Sequence, residues 1–524
     1  MLFLTLLFIL SVCVYFIYII VCNRRFDYWR KKNVSFVPPV PILGNYSGYI
    51  LLKESISKVV HNLCKLFPND PYIGAFFGTE PTLIVKDPEF IKLVLTKDFY
   101  HFNGREGSKY THNEVVTQNI FFTYGDRWKV IRQNLTPLFS SLKMRNMFHI
   151  IEKCSGIFEN LLDEESLAPE VEMKSLMSRF TMDCIGGCAF GVDTKAMQEP
   201  KDNIFTTMGY LFFESTTYRG IKNVLRAIWP GIFYGLGLKV FPTDLNEFFS
   251  KLLVGIFEAR DYKPSSRNDF VDLLLNLKKN RHIVGDRLQK TTTGDEGADS
   301  KFELEVDDGL LVGQCLAFFS AGFETTSTIS NFTLYELAKN PDVQKRAQKE
   351  VDEYIKKHNN KLDYDCVKEL PFVEACIDEA LRLYPVLGVL TREVMEQYTF
   401  PTGLTLDKGD RVHIPVYHLQ RDPEYFPEPE LFKPERFYGE EKKNIRPFTY
   451  LPFGDGPRIC IGMRFAKMQI LAGLVTILKK YTVQLADGMP ETIDIEPKAI
   501  VTQPAISMRL KFVPRNDLQK RIFA

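Results

Sequence analysis

The stretch Phe453-Gly454-Asp455-Gly456-Pro457-Arg458-Ile459-Cys460-Ile461-Gly462 sets a lone cysteine in a glycine-rich loop. A thiol becomes a metal ligand only as the thiolate, so its surroundings must favour negative charge on sulfur. Gly454 and Gly456 suit positive φ and let main-chain N–H groups approach Cys460 Sγ. The spacing of Ile461, Phe465, Met468, Leu471 and Leu474 predicts a helix starting at about Cys460, whose positive end would depress the thiol pKa further. Arg458 offers a guanidinium to a carboxylate above the sulfur, and Gly462 removes a side chain where a flat partner would lie. The bland alternative is a turn carrying a buried, inert cysteine. A pattern as long as Phe-x-x-Gly-x-Arg-x-Cys-x-Gly argues against it.

Three further segments carry spacing that chemistry would need. Asp307-Asp308 opens a long helix that should run to Asn340, where Pro341 breaks it. At its centre Ala321-Gly322-Phe323-Glu324-Thr325-Thr326 leaves a side-chain gap beside an acid and an alcohol, after an apolar run from Leu310 to Phe319. The competing reading is a helix-interface glycine with a threonine bonded back to the i−4 carbonyl. Trp128 and Arg132, one helical turn apart, can donate to one anion. Glu379 and Arg382 form an i, i+3 pair among Ile377, Ala380, Leu381 and Leu383, so the pair is expected to be buried and to need further hydrogen bonds.

Taken with these segments, the Cys460 loop resembles the cytochrome P450 superfamily, and within it the microsomal xenobiotic-metabolising type of insect family 6 and vertebrate family 3. The resemblance covers nearly the whole chain. It implies haem, iron protoporphyrin IX, with Cys460 as axial thiolate, a ligand that pushes electron density toward bound dioxygen. It implies haem contacts by Arg105, Trp128, Arg132, Arg392, Phe453, Arg458 and Gly462, and catalytic roles for Thr325 and Glu324. Arg436 is implied as the third member of the Glu379–Arg382 network. Phe318, Phe319, Ala321, Val386 and Val389 are the expected substrate-pocket residues.

Residues Leu2 to Cys22 carry no charge and are long enough to span a bilayer, and Arg24-Arg25 with Arg30-Lys31-Lys32 follow as a basic flank. The run is too long for a typical signal-peptide core, and it lacks a basic leader and an Ala-x-Ala-like site. Pro38-Pro39-Val40-Pro41 reads as a stiff connector. The expected organisation is therefore an anchor over 1–22, a basic flank and proline-rich hinge over 23–45, and a catalytic domain over 46–524. The resemblance places it on the endoplasmic reticulum membrane, facing the cytosol. A net charge of +1, from 66 basic and 65 acidic residues, argues for no nucleic acid partner.

The ten cysteines show no disulfide spacing. Cys184 and Cys188 lack neighbours in sequence to complete a zinc set, and His413 and His418 read as structural. Tyr72 to Phe77 and Thr82 to Val85 read as paired strands, Asp87-Pro88 as a helix start, and Phe99 to Phe122 as an active-site loop. Leu211 to Phe241 is rich in aromatics and, by the resemblance, roofs the cavity; Gln289 to Ser300 reads as a solvated linker.

The expected fold is mainly α with small β-sheets, an α+β cytochrome P450 fold behind a transmembrane helix. The expected activity inserts one oxygen atom of O2 into an apolar small molecule, a xenobiotic or a lipophilic endogenous compound. NADPH-cytochrome P450 reductase supplies the electrons in that reading, with cytochrome b5 as a second donor. Arg127, Lys129, Lys143 and Arg145 offer such acidic partners a basic patch, or form an ordinary solvated face. Two alternatives are a haem-thiolate isomerase or dehydratase and a membrane-tethered haem sensor or hydrophobe carrier. The Glu324-Thr325 pair argues against the isomerase, which needs no proton relay to dioxygen.

Overall fold

A helix of 32 residues, Asp308–Lys339, runs through the largest apolar core. Asp307 caps it by accepting the Leu310 N–H at 2.6 Å, and it stops at Asn340, ahead of Pro341. A helix apolar on every side must be covered on every side, and helices Met173–Ile185 and Met463–Lys480 contribute to that cover. The first crosses close: a Cβ on Gly322 would stand 2.6 Å from Ile185 Cδ1, and Thr181 Oγ1 donates to the Phe323 carbonyl at 3.2 Å. The computed structural model describes residues 2–267, 269–288, 301–515 and 521.

The largest sheet has four strands in the order Tyr72–Phe77, Glu80–Val85, Arg411–Ile414, Leu390–Glu393. Its first pair is the antiparallel hairpin expected, with Tyr72 opposite Val85, although the second strand begins at Glu80 and the turn is correspondingly shorter. The strand Arg411–Ile414 ends ahead of Pro415, which has no N–H to give a ladder. Alternation along Leu390–Glu393 turns the Arg392 side chain inward, where it is 2% exposed. The short helix Pro88–Lys92 is capped by Asp87 as expected.

The aromatic-rich region folds into the short helices Ile204–Phe213, Thr217–Ile228 and Pro230–Gly235, followed by Thr243–Ala259. A hairpin of His282–Asp286 and Lys301–Glu305 lies against helix Gly125–Leu135, where Gln133 bonds Asp286 through both its amide atoms. The linker expected at Gln289 to Ser300 lies outside the described residues.

At the N-terminus, helix Leu2–Phe26 exposes Leu6, Leu7, Phe8, Ile9, Leu10 and Val14. Among the described residues no helix is long and apolar enough to cross a membrane. The segment after it is no free spacer. Trp29 is fully buried, donates to the Ala75 carbonyl at 2.8 Å, and lies against Gly74, where a Cβ would stand 2.5 Å from its ring. Val40 and Gly44 pair in a turn, and Asn45 bonds the Phe76 backbone. The stiff connector expected from the prolines is thus tied to the sheet at both ends, by Trp29 before it and by Asn45 after it.

Glu379 and Arg382, on helix Pro371–Leu383, are both fully buried and paired twice at 2.8 Å. The remaining guanidinium hydrogens reach the carbonyls of Gln420, Pro429 and Leu431. Glu379 also accepts the Lys433 N–H at 2.8 Å and lies 3.4 Å from Arg436. Three backbone segments are thereby stitched beneath the sequence that leads into the cysteine loop. Replacing Arg382 with Met leaves the Glu379 carboxylate buried without its main partner and should cost about 3–5 kcal/mol. Removing the exposed Arg25–Glu80 pair by Arg25→Met should cost at most about 1 kcal/mol. Comparable losses for the two variants in urea unfolding would contradict this account of the buried pair.

Candidate functional site

The cysteine loop is built on two left-handed glycines, Gly454 at φ 70° and Gly456 at φ 68°. Gly456 also needs its missing side chain, because a Cβ would meet the Leu95 carbonyl at 2.0 Å. The Cys460 N–H is tied back to the Phe453 carbonyl at 2.9 Å. The following helix begins at Met463, later than its apolar spacing suggests, with Gly462 as cap. It is the Gly462 N–H that hydrogen-bonds Cys460 sulfur.

The sulfur's charge differs from the expectation. Burial pushes the Cys460 thiol up, and it outweighs the Gly462 N–H and the Arg132 and Arg105 charges that pull it down. The polypeptide alone does not make this cysteine a free thiolate, and a bound metal cation would. Water can reach the Cys460 side chain, yet protein surrounds it, which is how a side chain lining interior space behaves. A Cβ added at Gly462 would meet nothing within 4 Å.

Four guanidinium groups converge near the sulfur. Arg458 is buried, donates to the carbonyls of Asn103, Phe121 and Thr123, and stands 4.5 Å from the Trp128 ring. Its pKa is driven well down by burial and by Arg105, Arg392 and Arg132. Arg105 donates to the Phe121 carbonyl at 2.7 Å and is pushed down to about 9 by burial and Arg392, against the pull of Cys460. Arg392 is pushed down to about 10 by burial, and its Nε is buried without a hydrogen-bond partner. Arg132 is held low by burial and raised by Cys460. Among the described residues Arg132, Arg392 and Arg458 show no ion pair to Asp or Glu, and the positive charges of Arg132 and Arg105 both act on the cysteine. A flat dianionic partner such as haem, with carboxylates for the guanidiniums and iron for the sulfur, fits this donor set. Trp128 and Arg132 sit on helix Gly125–Leu135, and Arg392 arrives from the sheet.

The long helix supplies a second face. Within its buried run, Ala321 is exposed and Ala317, Gly322 and Thr325 are half-buried, so an interior helix fronts open space. Ala317 was not singled out from sequence; only its position one turn before Ala321 marks it. The Ala-Gly gap serves two purposes, because Ala321 faces that space while Gly322 admits Ile185. Thr325 Oγ1 bonds back to the Ala321 carbonyl at 2.5 Å. Glu324 is 1% exposed, accepts from Gln503 Nε2 at 2.9 Å and pairs with Lys174 Nζ at 3.3 Å. Its Oε2 is buried without a partner. Burial raises the Glu324 pKa and Lys174 opposes it, so the acid form is favoured relative to a free carboxyl. Neither Lys174 nor Gln503 is visible as a partner in sequence, since both are more than a hundred residues away.

The expected pocket residues separate in space. Phe318 is wedged between Phe139 and Phe270, with centroids at 5.2 and 4.5 Å. Phe319 packs on Phe249 and Phe190. Val386 is half-buried, and Val389 joins the cluster around Tyr46 and Phe77. Cys184 and Cys188 are buried core residues near Cys154, and no group of His, Cys, Asp and Glu among the described residues could hold a metal ion. His413 is fully satisfied, between Tyr46 and Glu106 at 2.7 Å each. On the basic patch, Lys129 donates to the Arg287 carbonyl, Arg127 to Gln118, and Arg145 pairs with Asp365.

The guanidinium cluster makes a directional prediction. Arg392→Gln should weaken haem retention markedly while leaving the haem-free protein nearly as stable as before, because one buried cation and its repulsion are removed together. Thermal melts of the haem-free and haem-loaded forms, with a haem titration, check it; an equal drop in both melting temperatures would show Arg392 to be a packing residue only.

The profile of the family described as Cytochrome P450 matches residues 35–512. The chain is 33% identical over 512 residues to Cytochrome P450 6B2 of Helicoverpa armigera, covering 97% of this chain and 98% of that relative. It is 33% identical over 490 residues to Cytochrome P450 6k1 of Blattella germanica, covering 93% of each, and 33% identical over 491 residues to Cytochrome P450 6a2 of Drosophila melanogaster. These matches agree with the cradle around Cys460 and with a mainly helical fold bearing small sheets: the chain belongs to the cytochrome P450 family, whose cofactor is thiolate-ligated haem.

Proposed function

We propose that the protein is a membrane-anchored monooxygenase that hydroxylates or epoxidises lipophilic small molecules, xenobiotics among them, with NADPH electrons delivered by a flavoprotein reductase. The observation that carries the reading is an accessible Cys460 under the charges of Arg132 and Arg105, in a chain whose central helix, otherwise buried, leaves Ala317, Ala321 and Thr325 open. Haem bound between them would supply reductive activation of dioxygen, with one oxygen atom passing to substrate and the other leaving as water.

The chain's own residues have separable tasks in this reading. Arg105, Arg132, Arg392 and Arg458 with Trp128 would hold the haem carboxylates, Phe453 and Gly462 would flank the haem on the sulfur side, and Cys460 would supply the thiolate to iron. Ala317 and Ala321 keep the central helix flat where substrate would lie, while on its far side Phe205, Phe249, Phe319 and Phe323 pack on one another and close that side to water. An open face of alanine methyls selects for apolar ligands by shape. Thr325 Oγ is a hydroxyl on that face, and Glu324, whose pKa burial raises against the pull of Lys174, is the next acid along the helix, with Lys174 leading to solvent. Lys174 is 36% exposed at its side chain, so proton exchange with bulk water has a short route.

The apolar side chains that helix Leu2–Phe26 exposes, together with the uncharged run from Leu2 to Cys22 in the sequence, support an anchor in the membrane. Tyr218, Ile221, Ile232 and Leu236 on the roof are exposed as well and would meet the same bilayer. The basic flank places the body in the cytosol. Neither Asn33-Val34-Ser35 nor Asn45-Tyr46-Ser47 should then be glycosylated. Asn45 is further protected because its amide bonds Val37 and Phe76. A glycosidase-sensitive mass shift on microsomal protein would reverse the orientation.

The reaction itself is tested by Thr325→Ala in the reductase-coupled enzyme. Haem content and the reduced carbon monoxide spectrum should survive, since only a small hydroxyl is lost. Product formed per NADPH consumed should fall severalfold, at the scale of a lost general-acid contact of about 10²-fold or less, with hydrogen peroxide released instead. An unchanged ratio would leave Thr325 as the helix-bonded packing residue its Ala321 contact suggests, and absence of any NADPH-dependent product would remove the monooxygenase reading.

A further inference from the structure

We propose that Glu114 is a positioning residue that latches the substrate entrance, holding the roof helices against the Phe99–Phe122 segment. This rests on the interior space beside Ala321 being the substrate cavity. Glu114 is 5% exposed, yet its carboxylate is shared across the seam between two separate stretches of chain. Oε1 accepts from Tyr234 Oη at 2.9 Å and from the Val240 N–H at 3.2 Å, and Oε2 accepts the Phe241 N–H at 3.1 Å. Every one of these donors belongs to the roof, whereas Glu114 belongs to the opposite wall. The latch is reinforced by Arg226 Nε, which donates to Tyr234 Oη at 2.7 Å while its guanidinium faces the Phe122 ring at 5.4 Å. Tyr110 stacks on Tyr234 at 5.7 Å.

Both walls matter to the cavity. On the Glu114 side, Gln314 of the central helix donates to the Gln118 carbonyl and accepts the Ile120 N–H, each at 3.0 Å, so residues 114–120 are pinned to the helix that carries Ala321. On the roof side, Phe241 stacks on Phe212 at 4.7 Å, and Arg219 ties the Leu211 and Phe212 carbonyls to the next helix. Roof and wall are each firm units. A polar cavity of about 270 Å³ is lined by Gly107 and Tyr110 of the wall, by Ile228 and Gly231 of the roof, and by Glu393 and Arg411 of the sheet. Roof and wall are therefore not packed together there, and the Glu114 carboxylate is what joins them.

A buried carboxylate bonded to backbone amides suits a latch. Its hydrogen bonds are charge-assisted and strong while closed, and on opening the ion and the freed N–H groups can all be hydrated, so the open state is accessible. Substrates too large for the standing gap would need the latch to part before entry, and small ligands would not.

The test uses the full-length haem-loaded protein and two iron-coordinating azoles of different size, imidazole and 4-phenylimidazole, followed by the shift of the haem absorption band in stopped flow. Glu114→Gln and Tyr234→Phe each remove part of the latch without a cavity. Each should speed 4-phenylimidazole association by about tenfold, the change expected for one charged hydrogen bond, while the imidazole rate stays near that of the unsubstituted protein. Hydrogen exchange at the Val240 and Phe241 amides should rise in parallel in Glu114→Gln. Equal acceleration of both azoles, or faster amide exchange with no change in 4-phenylimidazole association, would overturn the latch and leave Glu114 a structural tie. Absence of any azole-induced band shift in the unsubstituted protein would instead overturn the haem-monooxygenase reading, and the latch with it.

Discussion

The constraint on which the rest of this structure depends is clustered positive charge in the protein interior. Four guanidiniums are grouped around one thiol, and burial works against the charged form of every one. Such a cluster opposes folding less when something anionic joins it. The fold holds it with backbone carbonyls: Arg458 bonds the carbonyls of Asn103, Phe121 and Thr123, and Arg105 that of Phe121. Within Phe99–Phe122 the Asn103 and Phe121 carbonyls thus point to guanidiniums and not into a helix ladder.

A similar economy governs the central helix. Gly322 and Ala321 are adjacent, yet about 100° apart around the axis, so one admits Ile185 and the other opens onto the interior space. Two small residues thereby serve packing and binding at once. The acid that follows turns to a third side, toward Lys174 and Gln503, and so the alcohol and the acid of one tripeptide face different environments. Thr325 is half-buried on the open face, and Glu324 is buried with a lysine at its outer edge.

The scaffold around the cysteine loop is held by fully buried ions in a way that specifies geometry more than it adds stability. Glu379 and Arg382 leave few of their hydrogen-bonding groups unused, and their partners come from Gln420, Pro429, Leu431 and Lys433, all upstream of the loop. A chain that missed this arrangement would strand two charges, so alternatives are penalised.

The cysteine loop, the limits of the central helix, the hairpin Tyr72–Val85 and the Glu379–Arg382 pair were legible in the sequence, because each depends on neighbours a few residues apart: glycine φ, a capping aspartate, a proline stop, an i, i+3 spacing. The membership of the family was legible for the same reason, through motifs that are local. Other features were decided only by tertiary packing. The proline-rich segment is tied to the sheet by Trp29 before it, which packs against Gly74, a contact 45 residues distant. The Cys460 thiol, expected to be depressed by nearby donors, is raised because desolvation sums over the whole surrounding protein and no local window contains it. Gln503 beside Glu324, Lys174 outside it, and the roof amides on Glu114 are pairings across long loops, whose closure depends on the assembled core and leaves no periodic trace in the chain.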